Sequence, residues 1–225
     1  MNVLILLDFA GVSVFAATGA LAASRKQLDI VGFMFLACAT GVGGGTFRDL
    51  VLGRTPVFWV SEPAYLLVCA ATAVLLYFTA HMMESRYRIL LWLDAVGLAA
   101  FCAMGAAVGL NATGSSAIAI VTGMATATFG GILRDILAGE KSVLLRPEIY
   151  VSAAAAGAAL YTIADTAGAP SGVSALLAMA FAFVIRGGAL VFGWTLPSYR
   201  ARAGRTESEL LRDGIVSPPP SNSDN

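Results

Sequence analysis

Seven long apolar stretches follow one another along the chain, at about 3–23, 30–50, 64–80, 89–110, 116–137, 148–165 and 171–194. Each approaches the ~20 residues that a helix needs to cross a bilayer core. In lipid, only helices and closed barrels satisfy every backbone group. These runs are too long and too continuous for barrel strands. The expected fold is therefore an all-α polytopic membrane protein of seven transmembrane helices, occupying residues 1–195. The connectors are short and carry turn formers or charges, as in "SRKQLD", "GRTPVFWVSEP" and "GEKSVLLRPE". The first run ends in small residues, as a signal peptide would. It lacks a basic leader, however, and Asp8 interrupts its apolar segment, so it is read as a retained span.

Composition agrees. Charged residues make up 12% of the chain, against roughly 25% in soluble domains, and the mean hydropathy is +0.79. A formal net charge of zero leaves no electrostatic footprint for nucleic acid. Cys38, Cys69 and Cys102 sit inside apolar runs without CxxC spacing and read as packing residues. With no metal-ligand cluster and no recognisable nucleophile–base pair, neither a cofactor nor an enzyme is expected.

Lys and Arg in short loops set orientation. Loops one, three and five hold Arg25, Lys26, Arg86, Arg88, Lys141 and Arg146, while loops two, four and six hold Arg54. The tail after the last span adds Arg200, Arg202, Arg205 and Arg212. These observations place the C-terminus in the cytoplasm and the N-terminus outside in a multi-pass membrane protein. The tail, 196–225, ends in a Pro/Ser/Asn-rich segment and is expected to be disordered.

The chain also repeats itself. Shifted by 86 positions, Asp8 falls on Asp94, Gly11 on Gly97, Phe15 on Phe101 and Gly19 on Gly105. Thr40 falls on Thr126, Gly44-Gly45 on Gly130-Gly131, Arg48-Asp49 on Arg134-Asp135, and Gly53 on Gly139. There are 15 identities across positions 4–54, and although alanine and glycine matches come cheaply here, the charged ones do not. A two-residue gap then sets Pro63 on Pro147. Repeat one (about 3–80) and repeat two (about 89–165) hold three spans each. Three is odd, so the second copy enters the membrane from the opposite face, with a seventh helix (about 171–194) added. Transport pathways in such inverted repeats lie near the midplane, between discontinuous helices.

Spans two and five carry the signal. Each glycine costs about 1 kcal/mol against alanine inside a helix. The run Gly43-Gly44-Gly45 and the pair Gly130-Gly131 are therefore expected to break their helices and turn carbonyls toward a cavity. Thr40 and Thr126, one turn earlier at equivalent positions, would add hydroxyls. Ser13, Thr18, Thr46, Thr122 and Thr128 are weaker lining candidates, because a membrane threonine often bonds its own helix. Phe15, Phe47 and Phe129 read as ordinary packing. "GVGGGT" mimics a dinucleotide loop, but no βαβ pattern follows, and in the second copy Gly43 becomes Phe129.

Arg or Asp deep in a span costs roughly 2.5–3.5 kcal/mol on insertion scales, and such residues usually pair inside the bundle. Neighbours on a helix point about 100° apart, so Arg48 is not expected to pair with Asp49. Cross-repeat partners for Arg48 and Arg134 are expected instead among Asp8, Asp49, Asp94 and Asp135. These charges would act either as a gate or as a purely structural lock.

The doubled motif, G-G-G-x-x-R-D at Gly43–Asp49 and G-G-x-x-R-D at Gly130–Asp135, resembles that of the trimeric intracellular cation (TRIC) channels, prokaryotic members in particular. So does the arrangement of two inverted three-helix halves plus a seventh helix. The resemblance implies a homotrimer among membrane lipids, with a pore through each protomer lined by Thr40, Gly43, Gly44, Gly45, Thr126, Gly130 and Gly131. It implies monovalent cations, potassium before sodium, as permeant species, with potassium held at backbone carbonyls near Gly44 and Gly130. In animal members, cytoplasm-facing basic residues bind phosphoinositide, so bound lipid enters the expectations without a position in this chain. The same bacterial sequence class also resembles proteins labelled as glycine transporters. An alternating-access carrier of a small amino acid is thus the alternative, with carboxylate and amine held at half-helix ends.

Overall fold

The computed structural model describes residues 3–143, 147–197, 204 and 206–217. Its helices are α1 (Val3–Arg25), α2 (Ile30–Val51), α3 (Phe58–Ser61), α4 (Ala64–Thr79), α5 (Arg86–Thr113), α6 (Ser116–Leu137), α7 (Val151–Thr166), α8 (Ser171–Phe192) and α9 (Glu207–Arg212). Seven of them answer to the seven apolar runs. Six are long and apolar enough to span a bilayer, α4 together with the 3-10 turn Ala80–Met82 that continues it. The exception, α7, has 16 residues and a length of about 24 Å. By contrast α5 reaches 28 residues, three beyond the expected run at each end. Apolarity marks the part of a helix that lipid covers; the polar turns at Arg86 and Asn111 continue the same helix into water.

Local chemistry repeats with the sequence. Asp29 caps α2 by accepting from the Gly32 amide at 2.8 Å, and Ser115 caps α6 at the equivalent position. Both helices end in the same way. Gly53 (φ 65°) and Gly139 (φ 62°) turn left-handed, and the amides of Arg54 and Glu140 close back on the carbonyls of Asp49 and Asp135 at 2.8 Å. This is a Schellman end, and glycine takes the left-handed position without strain.

Packing follows the internal symmetry. α1 packs on α5 and α2 on α6, each helix against its own counterpart, and α4 and α7 cover the two sides. The interior is built largely of alanine (Ala16, Ala20, Ala103, Ala106, Ala154 and Ala158 are all buried). Small side chains let helix backbones approach closely where lipid offers no hydrophobic drive. Phe15 and Phe101, equivalent residues, stack on each other at 5.0 Å between centroids. α8 has no counterpart and lies against α5 and α7, which are both second-repeat helices.

Two features depart from expectation. The second connector contains a helical turn, α3. The tail is not structureless over 206–217, where α9 forms behind a capping box of Thr206 and Glu209. The Pro/Ser/Asn-rich end, together with Arg146, Arg200, Arg202 and Arg205, lies outside the described residues.

Candidate functional site

The glycines meet at the crossing of α2 and α6. A methyl group at Gly44 would overlap the carbonyl oxygen of Thr126, and one at Gly130 would lie 2.6 Å from the carbonyl oxygen of Thr40. The repeat exchanges these two contacts, so the crossing sits on the internal two-fold. Gly19 and Gly105 are likewise filled by their neighbours, a Cβ falling 2.7 Å from Thr40 Oγ1 in one case and 2.6 Å from Thr126 Oγ1 in the other. The hydroxyls turn onto their own helices, Thr40 donating to the Leu36 carbonyl at 2.6 Å and Thr126 to that of Thr122 at 2.5 Å.

The expected helix breaks are absent. α2 and α6 run uninterrupted through Gly43–Gly45 and Gly130–Gly131. What the glycines remove is side-chain bulk, and the space goes to the partner backbone. In a dry interior a helix keeps its own hydrogen bonds, because no water competes for them.

One contact at the crossing has lost its symmetry. Phe47 and Phe129 stack at 4.3 Å, while the equivalent contact joins Leu133 to Gly43, with a Cβ at Gly43 3.1 Å from the leucine. Phenyls fill one flank of the crossing, and a leucine against a glycine fills the other.

A buried charged cluster stands at each end of this crossing. At the end away from the basic loops, Arg48 bonds Asp49 Oδ1 through Nε at 2.9 Å and Nη2 at 2.8 Å. Asp49 Oδ2 accepts from the Phe58 amide at 2.9 Å, and Arg54 approaches Asp49 Oδ1 at 3.7 Å. The Arg48 guanidinium lies over the Phe58 ring, 5.6 Å from its centroid. Asp8 Oδ2 accepts from the Tyr65 hydroxyl at 2.7 Å, and Phe9 stacks on that tyrosine at 4.1 Å.

At the basic-loop end, Arg134 bonds Asp135 Oδ1 through Nε at 3.0 Å and Nη2 at 2.8 Å. Its Nη1 reaches Asp94 Oδ1 at 2.7 Å. Asp135 Oδ2 accepts from the Val143 amide at 3.0 Å, which ties down the connector after α6. Arg186 of α8 extends the cluster, bonding Glu148 Oε2 at 2.8 Å and the Ile149 carbonyl at 3.3 Å and lying 5.0 Å from the Tyr150 ring centroid.

The pairing therefore differs from the expected one in two ways. Arg48 and Arg134 do pair with Asp49 and Asp135 next door, because a guanidinium at the end of a long flexible stem swings sideways out of its own radial direction. The further partner of Arg134 is Asp94 of the same repeat, not of the other. Asp8 bonds Tyr65 and not an arginine. Tyr65, Phe58, Tyr150, Glu148 and Arg186 were not among the expected site residues. Arg186 carried a signal, being the only charged residue in the apolar run 171–194.

Beyond the clusters the two ends diverge again. At the basic-loop end Arg25 bridges to Glu140 at 2.9 Å, with Lys26 at 3.9 Å. The repeat places Asn111 and Arg54 at the counterpart positions. There they line an open cavity of about 310 Å³ together with Val108 and Ala112.

Comparison with known proteins follows the same outline. A family model described as "Glycine transporter" matches residues 5–81 and 91–166, one copy for each repeat. The TRIC trimeric intracellular cation channel orthologue from Rhodobacter sphaeroides is 56% identical, with a TM-score of 0.84, covering 86% of this chain and 100% of that one. A UPF0126 membrane protein of Vibrio cholerae is 38% identical over 88% of this chain and 83% of its own length. The UPF0126 inner membrane protein YadS of Escherichia coli is 37% identical over 86% and 94% respectively.

Proposed function

The chain belongs to the family of that model and, with it, to the prokaryotic TRIC proteins; from this membership we propose that it is a cation channel of the bacterial inner membrane. It assembles as a homotrimer, each protomer carrying its own pathway, with potassium preferred over sodium. The N-terminus faces outside and the C-terminus the cytoplasm, a reading supported by the basic loops.

The observation that carries this reading is the α2–α6 crossing between two buried charged clusters. The pathway follows that crossing, past Thr40, Gly43, Gly44 and Gly45 on one helix and Thr126, Gly130 and Gly131 on the other. In this conformation each helix's carbonyl faces the other helix's glycine, so no room remains for an ion. Separating α2 from α6 frees the carbonyls near Gly44 and Gly130 to replace part of the hydration shell of a potassium ion. Carboxylates match the arginines in one cluster (Asp8 and Asp49 with Arg48 and Arg54) and outnumber them in the other (Asp94, Asp135 and Glu148 with Arg134 and Arg186), which favours cations over anions at the basic-loop end. The same pairs act as locks. Opening one breaks a buried ion pair, and membrane voltage supplies about 2.3 kcal/mol per elementary charge per 100 mV toward it.

The test is reconstitution of the purified protein in a planar bilayer under a potassium chloride gradient. Discrete current steps reversing near the potassium equilibrium potential are expected. The family description names one competitor, an alternating-access carrier of glycine. A silent bilayer with folded protein, joined to uptake of labelled glycine into liposomes, would establish that reading in place of the channel.

A further inference from the structure

The two clusters differ in what stands behind the tyrosine. Tyr65 rests on Phe9, a residue of its own repeat, and bonds Asp8 directly. The position equivalent to Phe9 is Ala95, too small to support a ring. Tyr150 is supported instead by the Arg186 guanidinium, which comes from α8, outside the repeat. The Tyr150 hydroxyl stands over Gly131, where a Cβ would lie 2.6 Å from it and 3.3 Å from Asp94 Oδ1. Tyr150 thus sits wedged between Arg186 and the Asp94–Arg134 pair.

This region is also the one least satisfied as folded. Among the described residues, the buried side-chain atoms without a hydrogen-bond partner are Asp94 Oδ2, Tyr150 OH and Arg186 Nε, all in this one cluster. Such atoms cost free energy to leave unmade. A buried network that is only partly satisfied is held less rigidly than one with every partner in place.

We propose that Arg186 is a positioning residue. It holds Tyr150 against the Asp94–Arg134–Asp135 cluster, and the seventh helix thereby sets how often the basic-loop end opens. The inference rests on the channel reading above and extends it to a helix that lies outside both repeats and away from the α2–α6 crossing.

The test uses the purified full-length protein in planar bilayers, with variants Arg186→Met, Arg186→Lys, Tyr150→Phe and the Arg186→Met/Tyr150→Phe pair. Methionine keeps an unbranched stem without the charge. Lysine keeps the charge without the planar fork that stacks and bonds two acceptors. Arg186→Met is expected to raise open probability at least about 5-fold, with Arg186→Lys in between. Unitary conductance and reversal potential should stay as in the wild type. Tyr150→Phe should act in the same direction, and the double variant should exceed neither single change. Hydrogen–deuterium exchange at the amides of 148–150 should accelerate in Arg186→Met whether or not current is measured. If wild-type protein passes no current, the channel reading falls and the exchange arm alone decides the positioning role. Unchanged exchange or open probability in a folded variant, a changed conductance, or strictly additive effects of the two substitutions would overturn the proposal. Where Arg186→Met does not fold, Arg186→Lys and Tyr150→Phe decide it by the same two readouts.

Discussion

At one end of the α2–α6 crossing an arginine is held between two buried carboxylates; at the other, its counterpart holds one. Arg134 bonds both Asp135 and Asp94, whereas Arg48 bonds Asp49 and leaves Asp8 to a tyrosine. The two sites descend from one motif, and the backbone around them still matches down to the glycine that ends each helix. Divergence lies in the side chains that approach from elsewhere: Phe9 and Phe58 at one end, Arg186 and Glu148 at the other. An inverted repeat delivers two equivalent frames to opposite faces of the membrane, and the surroundings then give each frame its own stability.

The largest expected effect tests that inequality. Removing one partner from a buried pair costs about 3–5 kcal/mol, because a charge is left uncompensated. Arg134→Gln leaves two carboxylates in that state. Arg48→Gln leaves Asp49, which keeps the Phe58 amide and has Arg54 at 3.7 Å. Thermal unfolding in detergent should therefore show Arg134→Gln as the more destabilising by at least about 1 kcal/mol, or roughly 2–4 °C. Equal losses would mean that Asp94 contributes nothing that Tyr65 does not supply at the other end.

The next effect tests the crossing that lies between the ends. Gly44 and Gly130 each face the carbonyl of the other's repeat across the internal two-fold. Overpacking a well-filled site costs about 1–3 kcal/mol. Gly44→Ala and Gly130→Ala should each lose that much, since backbone and not a flexible side chain stands in the way, with the larger loss at Gly44, whose methyl meets the facing carbonyl more closely. A larger loss at Gly130 would show that the crossing does not relax as its contacts require.

Much of this architecture was legible from hydropathy and from the 86-residue shift: seven helices, two inverted copies, and glycine pairs at equivalent places in α2 and α6. Three things were not. The glycine helices stay whole, against their expected break, because glycine's low helix propensity is measured in water, where solvent competes for the backbone. The arginine partners escape sequence reasoning because directions about the helix axis describe Cβ and not a guanidinium several bonds further out. Tyr65 and Tyr150 were hidden by the gap between the copies, which puts them out of register, although the structure sets each beside an aspartate of its own repeat, Asp8 or Asp94. Arg186 was visible as a lone charge in an apolar run, but it lies beyond the repeat, and no counterpart drew attention to it.

The smallest effect concerns the rims. Arg25 and Glu140 form a bridge at the basic-loop end, while Asn111 and Arg54 occupy the equivalent places and leave a cavity. One substitution, Asn111→Glu, would build the missing bridge with its polarity reversed, since Arg54 stands where Glu140 does. Partly exposed pairs contribute about 0.2–1 kcal/mol and are screened by salt. The variant should therefore melt higher than wild type by no more than about 4 °C at low ionic strength, and the gain should vanish near 1 M salt. In bilayers it should lower the open probability, because it ties the end of α5 to the connector after α2 as Arg25 ties α1 to the connector after α6. A bridge that stabilises without lowering current would place the rim outside the gating motion and leave the buried clusters to govern it. No change at low salt would mean that Arg54 is held toward Asp49, so that the 3.7 Å contact outweighs the new one.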